Sequence, residues 1–226
     1  MTMSTEMLKI LSEVLKRTRE DSEILPSSIL KKENLEELGL LQTEDKFVIN
    51  RTERIDLAKR AIQIGARIGD IVELLTWKDF EGFVAAILIS NNYKCVESFR
   101  RRGNSLMHGM EIDVIGVKGM NIIAIDAKMW GARTGKASAL KTAAEKQKNR
   151  TQELSVELDR LADKLGSLEG REYQLFPVIV TWLVEEVELH EGVPVVPIFK
   201  LNSFILNLHQ YEDLIASCSG NFNSSD

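Results

Sequence analysis

The sequence predicts an α/β domain with a mixed sheet flanked by helices, preceded by a small, mainly helical N-terminal domain. Three observations lead there. Between residues 77 and 216 the hydrophobic pattern reads helix, three strands, helix, strand, strand, helix, an order that gives a mixed sheet with helices packed on it. At its centre two apolar β-type runs, 111 to 117 and 121 to 128, are joined by Lys118-Gly119-Met120-Asn121, a connection suited to a hairpin. Ahead of it, residues 1 to 70 hold short amphipathic segments punctuated by Pro26, Gly39, Asn50 and Gly65.

The composition bounds the function. At 226 residues the chain can bury a sizeable core as one domain with an appendage or as two modest domains. Its 44% hydrophobic and 28% charged residues are those of an ordinary globular protein. No apolar run approaches the roughly 18–20 residues of a membrane span. The first residues, Met1 to Glu6, lack the basic segment and apolar core of a secretory signal, so a cytoplasmic protein without a membrane partner is expected. Cys95 and Cys218 read as reduced structural residues, and His108, His190 and His209 lack the spacing of a zinc site or a nucleophilic triad. A net charge of −5 argues against indiscriminate coating of nucleic acid, so local charge matters more than the total.

Taken in order, residues 5 to 19 place Met7, Leu8, Leu11, Val14 and Leu15 on one helical stripe. Pro26-Ser27-Ser28 separates this helix from a second, Ile29 to Leu38, which Gly39 ends. Leu40-Leu41-Gln42 and Phe47-Val48-Ile49 then read as a small hairpin, and Asn50 with Glu53 forms a capping box for a helix from Arg51 to Ile64. Short helices followed by a hairpin make residues 1–70 winged-helix-like. Acids slightly outnumber bases there, so contact with DNA and contact with a protein partner both stand as roles.

Residues 66 to 75 form a connecting helix, and Thr76 caps the next, which buries Trp77, Phe80, Val84, Ile87 and Leu88. Glu81 falls inside that stripe. A carboxylate on an apolar face must be paired, bound to an ion, or placed at the stripe's edge in reach of water. A strand from Tyr93 to Phe99 leads into Arg100, Arg101 and Arg102, which read either as phosphate contacts or as an ordinary solvated loop.

In the central hairpin, a turn at Gly119-Met120 pairs Lys118 with Asn121, and counting outward sets Asp113 opposite Asp126. Alternation puts Lys128 on the same face. Opposed Cβ atoms lie roughly 4.5–5.5 Å apart, where like charges are destabilising unless a cation bridges them. Oxygen donors without histidine or a cysteine pair suit Mg²⁺ or Mn²⁺. The plainer alternative has Asp113 facing water at a strand end and Asp126 paired with Lys128 on the surface.

The segment Lys128 to Arg150 then carries seven basic residues and one acid, Glu145, in a chain that is acidic overall. It reads as a phosphate-tracking surface, with Arg133, Lys136 and Lys141 as contacts. From Ala137 a long helix runs to Gly166. Its Gln147 either shares the apolar stripe and points at the sheet or is exposed, and its stripe from Leu154 to Leu165 packs in the core or forms a dimer seam. Phe176 to Leu183 and Val193 to Phe199 are strands, the second at an edge or poorly paired because Pro194 and Pro197 cannot donate to a ladder. A helix from Leu201 to Ala216 closes the domain, giving boundaries of 1–70, 71–219 and a disordered tail at 220–226.

Glu81 on a helix, Asp113 in Glu-Ile-Asp-Val-Ile, and Asp126-Ala127-Lys128 together resemble the PD-(D/E)xK nuclease superfamily, closest to Mrr-type restriction endonuclease domains and archaeal Holliday junction resolvases. The resemblance covers about residues 77 to 207, with Ile112 in place of the proline of the superfamily's name. It implies a restriction-endonuclease-like fold and a Mg²⁺- or Mn²⁺-dependent deoxyribonuclease. By that resemblance Glu81, Asp113, Asp126 and the carbonyl of Ala127 hold the metal, Lys128 positions the attacking water, and Gln147 matches a glutamine of these domains. A DNA endonuclease, acting as a homodimer where both strands are cut, is the expected function. A structure-selective junction resolvase and a non-catalytic adaptor retaining the fold are the rivals.

Overall fold

The computed structural model describes residues 3–103, 108–130, 135–166, 168–169 and 172–222. The chain divides into two compact units, Met1–Phe83 and Val84–Asp226, a division that lies beyond the expected one after residue 70. No described helix is long and apolar enough to cross a membrane.

The first unit comprises α1 (Met3–Arg17), β1 (Glu23–Ile24), α2 (Lys32–Glu37), β2 (Leu41–Thr43), β3 (Lys46–Val48), α3 (Arg51–Gln63), α4 (Ile68–Val72) and the beginning of α5 (Trp77–Ser90). Its three strands form an antiparallel sheet of order β1-β3-β2, with the β2–β3 hairpin where the sequence placed it and β1 an addition. The expected second helix starts late because residues 27–30 are held in a turn, in which the Ser27 amide donates to the Leu30 carbonyl and the Leu30 amide to Ser27 Oγ. The Asn50–Glu53 capping box forms as read, with both reciprocal bonds present.

A buried charge anchors this unit. Arg54 donates to Asp79 Oδ2 at 3.1 Å, to the Leu15 carbonyl at 3.0 Å, to the Leu74 carbonyl at 3.1 Å and to Thr18 Oγ1. Asp79 in turn closes the cap of α5, since its amide donates to Thr76 Oγ1 and its carboxylate accepts the Thr76 amide. Trp77, expected in the core, is 58% exposed, and the Lys78 ammonium lies 4.2 Å from its ring centroid. It occupies the first turn of α5, ahead of the buried Phe80.

The second unit continues through β4 (Lys94–Arg101), β5 (Met110–Lys118), β6 (Asn121–Lys128), α6 (Lys136–Ser155), α7 (Leu158–Leu165), β7 (Glu172–Thr181), β8 (Leu189–His190), β9 (Val193–Pro197), α8 (Ile198–Leu206) and β10 (Cys218–Asn221). These strands form a seven-stranded mixed sheet of order β4-β5-β6-β7-β9-β8, with β10 pairing β7. β6, β7 and β9 run parallel, and the other pairings are antiparallel. β9 is one strand in from the edge, covered only by the two residues of β8.

Three elements differ from those expected. The long helix is two, interrupted at Val156 and Glu157, and the interruption sets Glu157 against Arg101 at 2.5 Å. The last helix stops at Leu206 and continues as two short 3-10 turns, Leu208–Gln210 and Glu212–Leu214. Gly220 and Asn221 belong to β10, in register with Tyr173 and Glu172, because the backbone of β7 offers them a ladder; residues 223–226 lie outside the described part.

Each face of the sheet has its own layer. On one, Leu154, Leu158 and Leu161 of α6 and α7 pack on Ile115, Val117, Ile122 and Ala124, so the leucine stripe is core and not a dimer seam. On the other, Leu88 of α5 approaches Gly116 so closely that a Cβ there would stand 3.0 Å from it, which is why the strand carries a glycine.

Candidate functional site

The site begins with the hairpin. Gly119 takes a positive φ of 57° at its tip, Lys118 pairs with Asn121, and the ladder runs to Val114 opposite Ile125. The ladder ends there, one step short of Asp113 and Asp126. Side chains alternate along a strand, so Asp126 and Lys128 share the face on which Ile122 and Ala124 of β6 meet α6 and α7.

Asp126 is 3% exposed, and both its oxygens are engaged. Lys128 Nζ lies 2.8 Å from Oδ2 and Arg150 Nη1 lies 3.2 Å from Oδ1. Two cations thus flank one buried carboxylate, which bare would cost several kcal/mol. Asp113, half-buried, accepts the Ala127 amide on Oδ2 at 2.8 Å, so its carboxylate is tied to the backbone between Asp126 and Lys128.

On its other side Asp113 faces Ser98, since the β4–β5 register pairs Glu97 with Val114 and Phe99 with Ile112. Ser98 has a φ of 51°, a left-handed conformation that interrupts the ladder at that one position. Such backbone strain in a side-chain-bearing residue gathers at functional sites. Nothing in the sequence signals it.

Above the hairpin, α6 contributes Gln147 and Arg150. The apolar layer beneath this helix is split, with Leu140, Ala143 and Ala144 on Ile179, Val193 and Val195, and Leu154 on the β5–β6 side. Gln147 and Thr151 fall in between. Gln147 is 0% exposed, so the inward alternative is the observed one; its Nε2 donates to the Ala124 carbonyl at 2.8 Å, while Oε1 is buried without a hydrogen-bond partner. A buried acceptor left open is costly and marks a place where a donor is missing.

Glu81 belongs to the first unit; it is 4% exposed and pairs with Lys78 at 2.7 Å. Among the described residues no group of three or more His, Cys, Asp and Glu side chains is gathered so as to hold a metal. Asp113, bonded to the Ala127 amide, and Asp126, bonded to Lys128, are the carboxylates at this end of the hairpin. Mg²⁺ is commonly held by one or two carboxylates with water and phosphate oxygens completing its shell, so their chemistry suits such an ion.

The arginines behave differently from one another. Arg101 is buried, held by Glu153 and Glu157 at 2.5 Å each and by the His108 carbonyl at 2.8 Å, so it braces β4 against the helices instead of facing a ligand. Arg100 is paired with Glu111 at 2.7 Å on the surface, and Arg102 is exposed. Lys136 is half-buried against Glu185 at 2.5 Å, Lys141 is exposed, and Arg133 lies outside the described residues. Arg150 is the residue that sequence reasoning passed over. Its signal was the spacing of three from Gln147, which puts both on one helix face.

No family model matches the chain. It is 29% identical over 137 residues to an uncharacterized protein of Archaeoglobus fulgidus, a match covering 61% of this chain and 95% of that one. Among solved structures, a protein from Vibrio cholerae aligns at 15% identity with a TM-score of 0.38, covering 93% of this chain and 53% of the other. Can2 from Sulfobacillus thermosulfidooxidans, solved with cyclic tetra-adenylate, aligns at 13% identity with a TM-score of 0.32, covering 88% and 53%. The chain thus spans about half the length of each of these two proteins, 53% in both cases.

Proposed function

We propose that the chain is a divalent-metal-dependent DNA endonuclease of the PD-(D/E)xK type. The observation that carries this reading is the meeting of Asp113 with Asp126-Ala127-Lys128 just past the end of the hairpin ladder, where Asp113 accepts the Ala127 amide and Lys128 is bonded to Asp126. Two carboxylates at the end of one hairpin beside a lysine suit a bound Mg²⁺ or Mn²⁺, which Asp113, Asp126 and the Ala127 carbonyl would hold. When bound, such an ion lowers the pKa of a water and offsets charge on a phosphate.

The chain's own residues supply the rest. Lys128 sets a positive charge next to Asp126, where a water attacking phosphorus is to be oriented. The Asp113 carboxylate is fixed by the Ala127 amide, which holds its Oδ2 against the backbone between Asp126 and Lys128. Exposed Lys141 and Arg102 are left to follow the DNA backbone. This reading needs two carboxylates, so Glu81 has no required part in it.

The helices and three-stranded sheet of the first unit support a winged-helix-like module for contact with DNA or a protein partner. One site cuts one strand, so a homodimer accompanies double-strand cleavage.

A non-catalytic adaptor is the second reading, favoured by the fact that both Asp126 oxygens are already matched by cations. Incubation of the protein with linear, supercoiled and four-way-junction DNA in Mg²⁺, Mn²⁺ or EDTA decides. Metal-dependent cutting is expected, and preference for the junction would identify a resolvase. Binding without cutting of any substrate would establish the adaptor.

A further inference from the structure

We propose that Arg150 is an exchangeable counter-ion, which holds Asp126 while the site is empty and moves to the phosphodiester when a divalent cation arrives. The inference rests on the nuclease reading and adds a positioning residue to it. An ion at Asp113 and Asp126 adds positive charge beside two cations already there, and one of the two must leave.

The geometry selects Arg150. Lys128 extends from β6 itself, two residues beyond Asp126, makes the shorter contact at 2.8 Å and has the less exposed side chain, 22% against 31%. Arg150 touches Asp126 through one nitrogen only, at 3.2 Å, and reaches the site on a long side chain from α6. Its helix does not have to move, because Gln147 one turn earlier is bonded to the Ala124 carbonyl. The released guanidinium has five donors in a planar fork that matches two phosphate oxygens, so the group displaced by the metal suits the substrate.

The test compares wild type with Arg150→Ala and Arg150→Gln, with Asp126→Asn as the binding control. Circular dichroism verifies folding, and Arg150→Gln, which retains a donor for Asp126, carries the comparison if Arg150→Ala does not fold. Mn²⁺ titration followed by electron paramagnetic resonance is expected to give several-fold tighter binding in the Arg150 variants. DNA affinity in Ca²⁺ should fall several-fold in these variants while affinity in EDTA stays unchanged. Mn²⁺ affinity equal to or weaker than wild type, or equal loss of DNA affinity in both media, overturns the exchange and leaves the nuclease reading standing. Absence of Mn²⁺ binding in wild type and variants alike overturns that reading and the exchange with it.

Discussion

Arg150 reaches Asp126 from 24 residues further along the chain, with Nη1 3.2 Å from Oδ1. The pairing makes the acidic centre of the hairpin electrically balanced and joins β6 to α6. The site's polar contacts are therefore also contacts of the fold.

Asp126→Asn and Lys128→Ala are expected to lower the rate of plasmid nicking in Mg²⁺ by about 10²-fold or more, the scale of losing one group that stabilises transition-state charge. Circular dichroism and DNA binding in Ca²⁺ should remain near wild type for Lys128→Ala, whose side chain lies at the rim of the site. Undiminished nicking by either variant places the chemistry elsewhere.

Gln147→Leu removes the bond to the Ala124 carbonyl together with an acceptor that has no partner. The two effects oppose one another, so a loss of only about 1 kcal/mol in urea unfolding is expected. A loss of several kcal/mol would mean that Oε1 is satisfied in solution by an ordered water.

Arg54→Ala leaves the Asp79 carboxylate buried without its cation and strips two main-chain carbonyls of their donor. A loss of about 3–5 kcal/mol is expected in chemical denaturation. Arg54→Lys should recover little, because a single ammonium cannot reach partners spread around a guanidinium. Wild-type stability in either variant would show the network to be unimportant.

Arg101→Ala should lower the melting temperature well below that of Arg102→Ala, since Arg101 satisfies Glu153 and Glu157 and Arg102 is exposed. DNA affinity should follow the opposite order, with Arg102→Ala the weaker binder. A filter-binding series showing equal loss in both would return Arg101 to the interface.

Burial pushes the Cys95 thiol up to about 12. A thiol ordinarily titrates near 8.5, so the raised value favours the folded state below about pH 8.5, and that contribution is lost as pH rises towards 12. In the folded protein at pH 8, Cys95 should resist a disulfide reagent until denaturant is added. Rapid modification at pH 8 would show the strand to be open.

Local patterns foretold the parts that depend on near neighbours. The turn at Gly119-Met120 and strict alternation determine which residues of β5 and β6 face one another as far as Val114 and Ile125, whereas the bond from the Ala127 amide to Asp113 beyond that point was not legible. The caps of α3 and α5 were legible because a capping side chain bonds to a backbone three residues away.

What tertiary structure alone decided is how distant segments are turned toward one another. Whether Gln147 faces the sheet, whether Arg101 meets Glu153 and Glu157 or a ligand, and whether Arg150 finds Asp126 all depend on the rotation of α6 over the strands. That rotation is set by the leucines and alanines on either side of the polar gap, acting at once over the whole helix. A basic run in a sequence states its charge, but burial and the available acids settle which of its members bind a partner and which brace the fold.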